Sequence, residues 1–217
     1  MSRATVTLTP SRRLWPAPQF VRRSVLRRAA VRYADHGWPV LPGAFLDRGR
    51  YTCGPMCPTV ACHPAVVATP GEASYERDEL EQWWSSAAFS VLLATGAAFD
   101  VIEVPAALGT AALRAAPPGP VAANPNGNWM FFVAPGDPLR PELAGRLDMV
   151  LHDAGSWVPA PPTYTPLGRV RWEVSPEAVG WRLPWTYAVQ HAIVGALPPA
   201  RPAPATTAPA WVLRPAA

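Results

Sequence analysis

The stretch "FDVIEVP", residues 99–105, is an apolar strand with two acids set inside it. Successive residues of a strand point to opposite faces, so Glu103 and position 105 share one face. Asp100, three positions before Glu103, falls on the other. Two acids at i and i+2 on a strand can converge on divalent metal, because both carboxylates project the same way. Here the second position is Pro105, which offers no ligand. Asp100 does not repair the pair and is expected to cap or pin a turn.

Short apolar runs separated by turn residues continue on both sides. "SVLLATG" (90–96) reads as a preceding strand, joined to this one by a tight glycine-containing turn. An Ala-rich helix is expected from Ala106 to about Ala115, stopped at Pro117. "PVAAN" (120–124), "NWMFFVA" (128–134), "LDMVLH" (147–152), "SWVPA" (156–160) and "RVRWEV" (169–174) read as further strands. Upstream, "RRSVLRRAAVRYADHG" (22–37) is the first helix. Leu26, Ala29, Ala30 and Tyr33 recur at helical spacing, and Arg27, Arg28 and Arg32 lie off that stripe. Gly37 and Pro39 stop it, and "WPVLPG" (38–43) follows as a buried strand. "SYERDELEQWW" (74–84) is a second helix with Ser74 as its cap, and "PWTYAVQHAIVGAL" (184–197) is the closing one. Helices interspersed with hairpin-like strand pairs make the class α+β.

The chain of 217 residues is 49% hydrophobic with ten Trp, enough for one sizeable core. That core is assigned to residues 21–197. Residues 1–20 hold Pro10, Pro16 and Pro18 without a sustained period and read as a flexible arm. Residues 198–217, opening "PPARPAPATTAPA", read as a disordered or polyproline-like tail. The positive charge is carried entirely by Arg, and the Ala and Pro excess points to a GC-rich bacterial genome. Net charge is +4, with Arg12, Arg13, Arg22, Arg23, Arg27, Arg28 and Arg32 crowded near the N-terminus. Such a basic helix is either a solvated face or a surface for phosphates. No run approaches the ~18–20 apolar residues of a membrane span, and no apolar segment follows the first Arg residues as a signal peptide requires. The expected setting is cytoplasmic, without membrane association.

"CGPMCPTVACHP" (53–64) gathers Cys53, Cys57, Cys62 and His63. Thiolates and imidazole at short spacing suit tetrahedral zinc. The spacing is not that of a standard knuckle, and adjacent Cys62 and His63 rarely share an ion, so reduced thiols are the competing reading. A zinc here would be structural, with a fourth ligand such as His36 drawn from elsewhere.

Taken in order, "AAVRYADHGWPVLP", "DELEQWW", "ATGAAFDVIEVP", "PNGNWMFFV" and "LDMVLHDAGSWVPAPPTYTPLGRVRWE" resemble the bifunctional DNA primase/polymerase (Prim-Pol) domain of the archaeo-eukaryotic primase superfamily. The resemblance runs from about Ala29 to about Trp172 and includes a Cys-rich insertion ahead of an "HP" pair. It implies a strand-rich half like an RNA-recognition fold, packed with a smaller helical half. It also implies three catalytic motifs. The paired acids of the first fall on Glu103 and Pro105. The histidine of the second, following the Asn126-Gly127-Asn128 turn, falls on Trp129, whose indole donates one hydrogen bond and carries no charge. The acid of the third falls on Asp148, with His152 the nearest polar residue after it.

The resemblance therefore implies a frame kept while its catalytic set has degenerated. The leading expectation is a non-catalytic member that binds nucleic acid, nucleotide or a protein partner. Asn126, Asn128, Arg169, Arg28 and Arg32 are the candidate contacts to nucleic acid or nucleotide. Thr163 and Tyr164 lie on the same loop and strand as Arg169, and the many Trp serve as core or as stacking platforms. The alternative is a divergent active enzyme in which Glu103 and Asp148 hold Mg or Mn. A replication or regulatory protein is the third kind of partner expected, engaged through the Pro-rich tail.

Overall fold

The computed structural model describes residues 19–47, 49–54, 57, 62–65 and 73–198. All but the last two residues of the expected arm, and all but the first of the expected tail, lie outside the described residues. Helix α1 (Gln19–Asp35) is followed by β1 (Val40–Gly43) and the hairpin β2 (Phe45–Asp47) and β3 (Arg50–Thr52). Then come α2 (Arg77–Ser86), β4 (Ser90–Ala94), β5 (Asp100–Pro105), α3 (Ala106–Leu113), β6 (Val121–Asn124) and β7 (Asn128–Val133). The remainder is α4 (Pro141–Ala144), β8 (Val150–His152), β9 (Trp157–Pro159), β10 (Tyr164–Thr165), β11 (Gly168–Arg169), β12 (Arg171–Val174), a 3-10 turn at Glu177–Val179 and α5 (Thr186–Gly195).

Strands β5 to β8 with α3 and α4 run β-α-β-β-α-β, and their sheet order is β6-β7-β5-β8, all antiparallel. This is the split arrangement shared by ferredoxin-like and RNA-recognition folds. Strand β12 extends the sheet beside β6. A second antiparallel sheet, β1-β4-β9, packs with α1 and α2. The protein is α+β, and its smaller half carries a sheet as well as helices.

Several local expectations are corrected. Strands β4 and β5 do not form a hairpin. Strand β4 pairs with β1 and β9, β5 pairs with β7 and β8, and the turn between them crosses from one sheet to the other. Gly96 in that turn has φ +95°, and an added Cβ would lie 2.3 Å from the Ala154 backbone, so only glycine lets the chain cross here. The segment after β1, where no element was expected, contains the β2–β3 hairpin. Ser74 is not the cap of α2: Glu76 stands there, and the Ser74 hydroxyl accepts a bond from the Glu76 amide. "RVRWEV" breaks at Val170, which is fully buried, into β11 and β12.

Strand alternation sorts the large sheet into two faces. Ile102, Val104, Phe131 and Val133 face α3 and α5 in one cluster. Val101, Ala122, Met130 and Phe132 face the smaller half in another, with Val40, Val91, Leu93 and Val158 of the second sheet. Trp38 is at the centre of this second cluster. Its ring lies 4.7 Å from Phe99, 5.2 Å from Phe132 and Trp181, 5.9 Å from Tyr33 and 6.4 Å from Trp172. Trp181 holds a left-handed φ of 60°, unfavourable for a bulky residue, and its ring stacks on His36 at 3.7 Å. Tyr33, buried beneath, donates its hydroxyl to the Pro161 carbonyl at 2.6 Å. Trp38→Ala would leave a cavity bordered by both sheets, and is expected to cost about 3–5 kcal/mol. The midpoint of urea unfolding should fall accordingly.

Candidate functional site

Register carries a straight row of side chains across one face of the large sheet. Trp172 on β12 stands opposite Ala122 on β6, Ala122 opposite Met130 on β7, Met130 opposite Glu103 on β5, and Glu103 opposite Val150 on β8. Met130 is fully buried, whereas Glu103 lies nearer the open margin with 14% of its side chain exposed.

Both Glu103 oxygens are engaged. Oε1 accepts from Asn128 Nδ2 at 2.7 Å and Asn126 Nδ2 at 3.4 Å, and Oε2 pairs with His152 Nε2 at 3.0 Å. The other His152 nitrogen, Nδ1, is 3.0 Å from the Ser156 hydroxyl. His152 is thus held between Glu103 and Ser156, which sets its ring orientation from both sides. Burial is the largest influence on the Glu103 carboxyl and pushes its pKa up. The bonds from His152 and Asn128, the His152 charge and the Asn126 bond together outweigh burial and hold it below the ordinary value.

None of the other motif positions is hydrogen-bonded to this carboxylate. Asp100 is on the opposite face, as strand alternation requires. Its Oδ2 accepts from the Gly136 amide at 2.8 Å and pins that turn. Burial comes first in raising its pKa. Trp129 also points to the opposite face and packs against α3, where Gly109 leaves room for it. It does not stand in for a phosphate-binding histidine beside Glu103. Asp148 precedes β8 on an exposed turn, not on the strand expected, and its carboxylate is forked by Arg146 at 3.0 and 2.8 Å. That Arg146 bond holds its pKa down. His152, not counted among the site residues from sequence, reaches Glu103 because it lies opposite Val101, diagonally adjacent across the β5–β8 pair. The antiparallel register is the signal that would have found it, and register is not written in a single strand.

Two catalytic Mg or Mn ions need at least two open carboxylates on one face. On β5 this face offers one, its oxygens hold protein donors, and the next position on that strand face is Pro105. The residues present do not fit that pair of ions.

Asn126 and Asn128, expected to meet a nucleotide, direct their amides to Glu103. The remaining expected contacts gather elsewhere. Arg28, Arg32 and Arg169 line one cavity of ≈ 260 Å³ with Trp172, and Arg32 pairs there with Glu177 at 3.1 Å.

Three of the four expected metal ligands come together. The ligand atoms of Cys53, Cys57 and His63 all lie within 4.8 Å of one another, and Cys57 Sγ is 3.4 Å from His63 Nε2. Cys62 is not among them. Burial pushes its thiol up to about 11, and it bonds the Tyr51 hydroxyl instead. His36 is committed to Trp181 and to the Arg32 carbonyl. Cys53 follows β3, and the His63 carbonyl accepts from Ala44 N at the end of β1. A shared ion would therefore clip the β2–β3 hairpin to the segment beside β1.

Because the folded-state pKa of Glu103 is depressed below 4.5, its contribution to stability is present above that value and is lost as pH falls through the folded pKa. Glu103→Gln should be less stable than the parent at neutral pH by about 1–3 kcal/mol, since the amide opposes a donor with a donor. That gap should narrow as pH falls below 4.5, which urea unfolding across the acid range would measure.

No curated protein sequence matches this chain. The family model for the bifunctional DNA primase/polymerase, N-terminal, matches residues 30–208. The match takes in the end of α1, every later strand and α5, together with Glu103, Asn128, Asp148 and His152. With both its sequence and its split β-α-β sheet in agreement, the chain belongs to the Prim-Pol family.

Proposed function

We propose that this Prim-Pol protein binds nucleic acid or nucleotide without polymerising it. The observation that carries the reading is the state of Glu103. The one carboxylate left on the strand where paired acids are expected is a hydrogen-bond acceptor for Asn128, Asn126 and His152. Releasing it to an ion would strand these donors at a half-buried position, at a cost of about 1–3 kcal/mol for each one left unsatisfied. Asp148 is forked by Arg146 on its turn, so its oxygens are engaged by protein donors as well.

Nucleotide incorporation on primed and unprimed templates, with Mg²⁺ and with Mn²⁺, tests this. The expected result is no incorporation above that of Glu103→Gln and Asp148→Ala samples. Template-dependent synthesis that disappears in those variants would overturn the reading.

A structural zinc held by Cys53, Cys57 and His63 belongs to the same proposal. Its chemistry is that of a cross-link, since two thiolates and an imidazole suit the ion and no carboxylate is among the three. Metal analysis of the purified chain should give about one zinc per molecule. Cys57→Ser should lose it and lower the melting temperature, and Cys62→Ser should keep it.

A further inference from the structure

We infer that the groove between α1 and the β10–β12 segment seats a single strand of nucleic acid, with its phosphates on Arg28, Arg32 and Arg169. This rests on the binding reading above and gives it a place, distinct from the Glu103 position. Trp172, which lines the groove, and Glu103 stand at opposite ends of the row Trp172–Ala122–Met130–Glu103. Three strand steps separate them, or about 14 Å.

Helix α1 carries five Arg residues and no acid before Asp35. They divide between two sides. Arg23 donates to the Ser85 carbonyl at 2.6 Å, at the end of α2, and Arg27 lines a crevice there with Trp84 and Ser85. Arg22, Arg28 and Arg32 turn the other way, toward Arg169. The cavity holding Arg28, Arg32 and Arg169 adjoins a second one of ≈ 150 Å³ through shared walls at Val25, Pro162 and Arg169. The second cavity adds Arg22 and Tyr164. Four guanidinium groups thus face one groove whose single lining acid, Glu177, is paired with Arg32. Arg28 has no ion-pair or hydrogen-bond partner among the described residues.

Clustered guanidinium groups with so little compensation favour a chain of phosphates, each of which can take two parallel N–H bonds. From Arg22 to Arg32 the helix runs about 15 Å, long enough for successive phosphates rather than one isolated anion. The Tyr164 ring, 44% exposed, lies under Arg22 at 5.5 Å and Arg169 at 6.0 Å. An unpaired base can stack on that ring or on the guanidinium planes over it, which a paired base cannot do.

The test is fluorescence anisotropy with a labelled oligothymidylate, the matching oligouridylate, a duplex of equal length and anionic phospholipid vesicles as competitors. The parent, Arg28→Glu, Arg169→Glu and Arg27→Glu chains would be compared, each checked for its circular dichroism. Arg27→Glu makes the same charge change one residue away, on the other side of the helix. The groove predicts that Arg28→Glu and Arg169→Glu each weaken strand binding about tenfold and lower the salt slope by about 0.7, with Arg27→Glu within about twofold of the parent. Parallel weakening by all three, or by none, while the parent binds, would overturn the groove and leave the binding reading intact. Duplex or vesicles displacing the oligonucleotide as well as the free strand does would overturn the single-strand assignment. No binding of either oligonucleotide by the parent would overturn the groove together with the nucleic-acid part of the reading.

Discussion

The packing of five aromatic rings around Trp38 is the constraint on which the rest of this protein depends. Tyr33 comes from α1, Phe99 from the turn between the sheets, Phe132 and Trp172 from the large sheet, and Trp181 from the segment after the 3-10 turn. Rings of this size each bury 150–250 Å² on the order of magnitude usual for aromatics, and edge-to-face contacts add to that burial. The cluster joins the smaller half to the large sheet at one place. The left-handed backbone of Trp181 is tolerated because the ring it positions is held by His36, Tyr33 and Trp38.

That packing decides which surfaces remain open. A β-α-β-β-α-β sheet of the RNA-recognition type commonly leaves one face free for stacking bases. Here α1, α2 and the β1-β4-β9 sheet cover it, and Met130 and Phe132 are fully buried. At one margin of the face Glu103, Asn128 and His152 stay partly exposed. A carboxylate so enclosed keeps its charge only with donors around it, and the two Asn amides and the imidazole supply them. The same covering of the sheet creates the groove on its far side, where α1 passes beside Pro162, Arg169 and Trp172. Polar demand at one margin and positive charge at the other both follow from how the smaller half sits.

Much of the fold was legible because it rests on local rules. Period-two alternation put Glu103 and Asp100 on opposite faces, and the structure agrees in giving them separate environments. Helical spacing located α1 and α5, and the Asn126-Gly127-Asn128 turn between β6 and β7 is where turn residues between apolar runs placed it. Failures came where pairing is non-local. "SVLLATG" and "FDVIEVP" look like a hairpin, but β4 finds β1 and β9 while β5 finds β7 and β8. Trp129 was aligned by motif order to a ligand position, and the register of β7 turns it to α3. Cys62 belongs to the cysteine run in sequence, yet a neighbouring tyrosine and burial remove it from the cluster.

By itself the sequence determined the α+β class, a proline two positions after Glu103 and the places of α1, α2, α3 and α5, because each depends on residue type and short-range spacing; the order of its segments carried the family resemblance. Only the tertiary structure decided that His152 meets Glu103, that Asp148 stands on a turn with Arg146, and that Arg28, Arg32 and Arg169 share one cavity. Those juxtapositions depend on strand register and on the angle at which α1 crosses the second half. Both are set by the summed packing of buried side chains distant in sequence, and no local pattern encodes that sum.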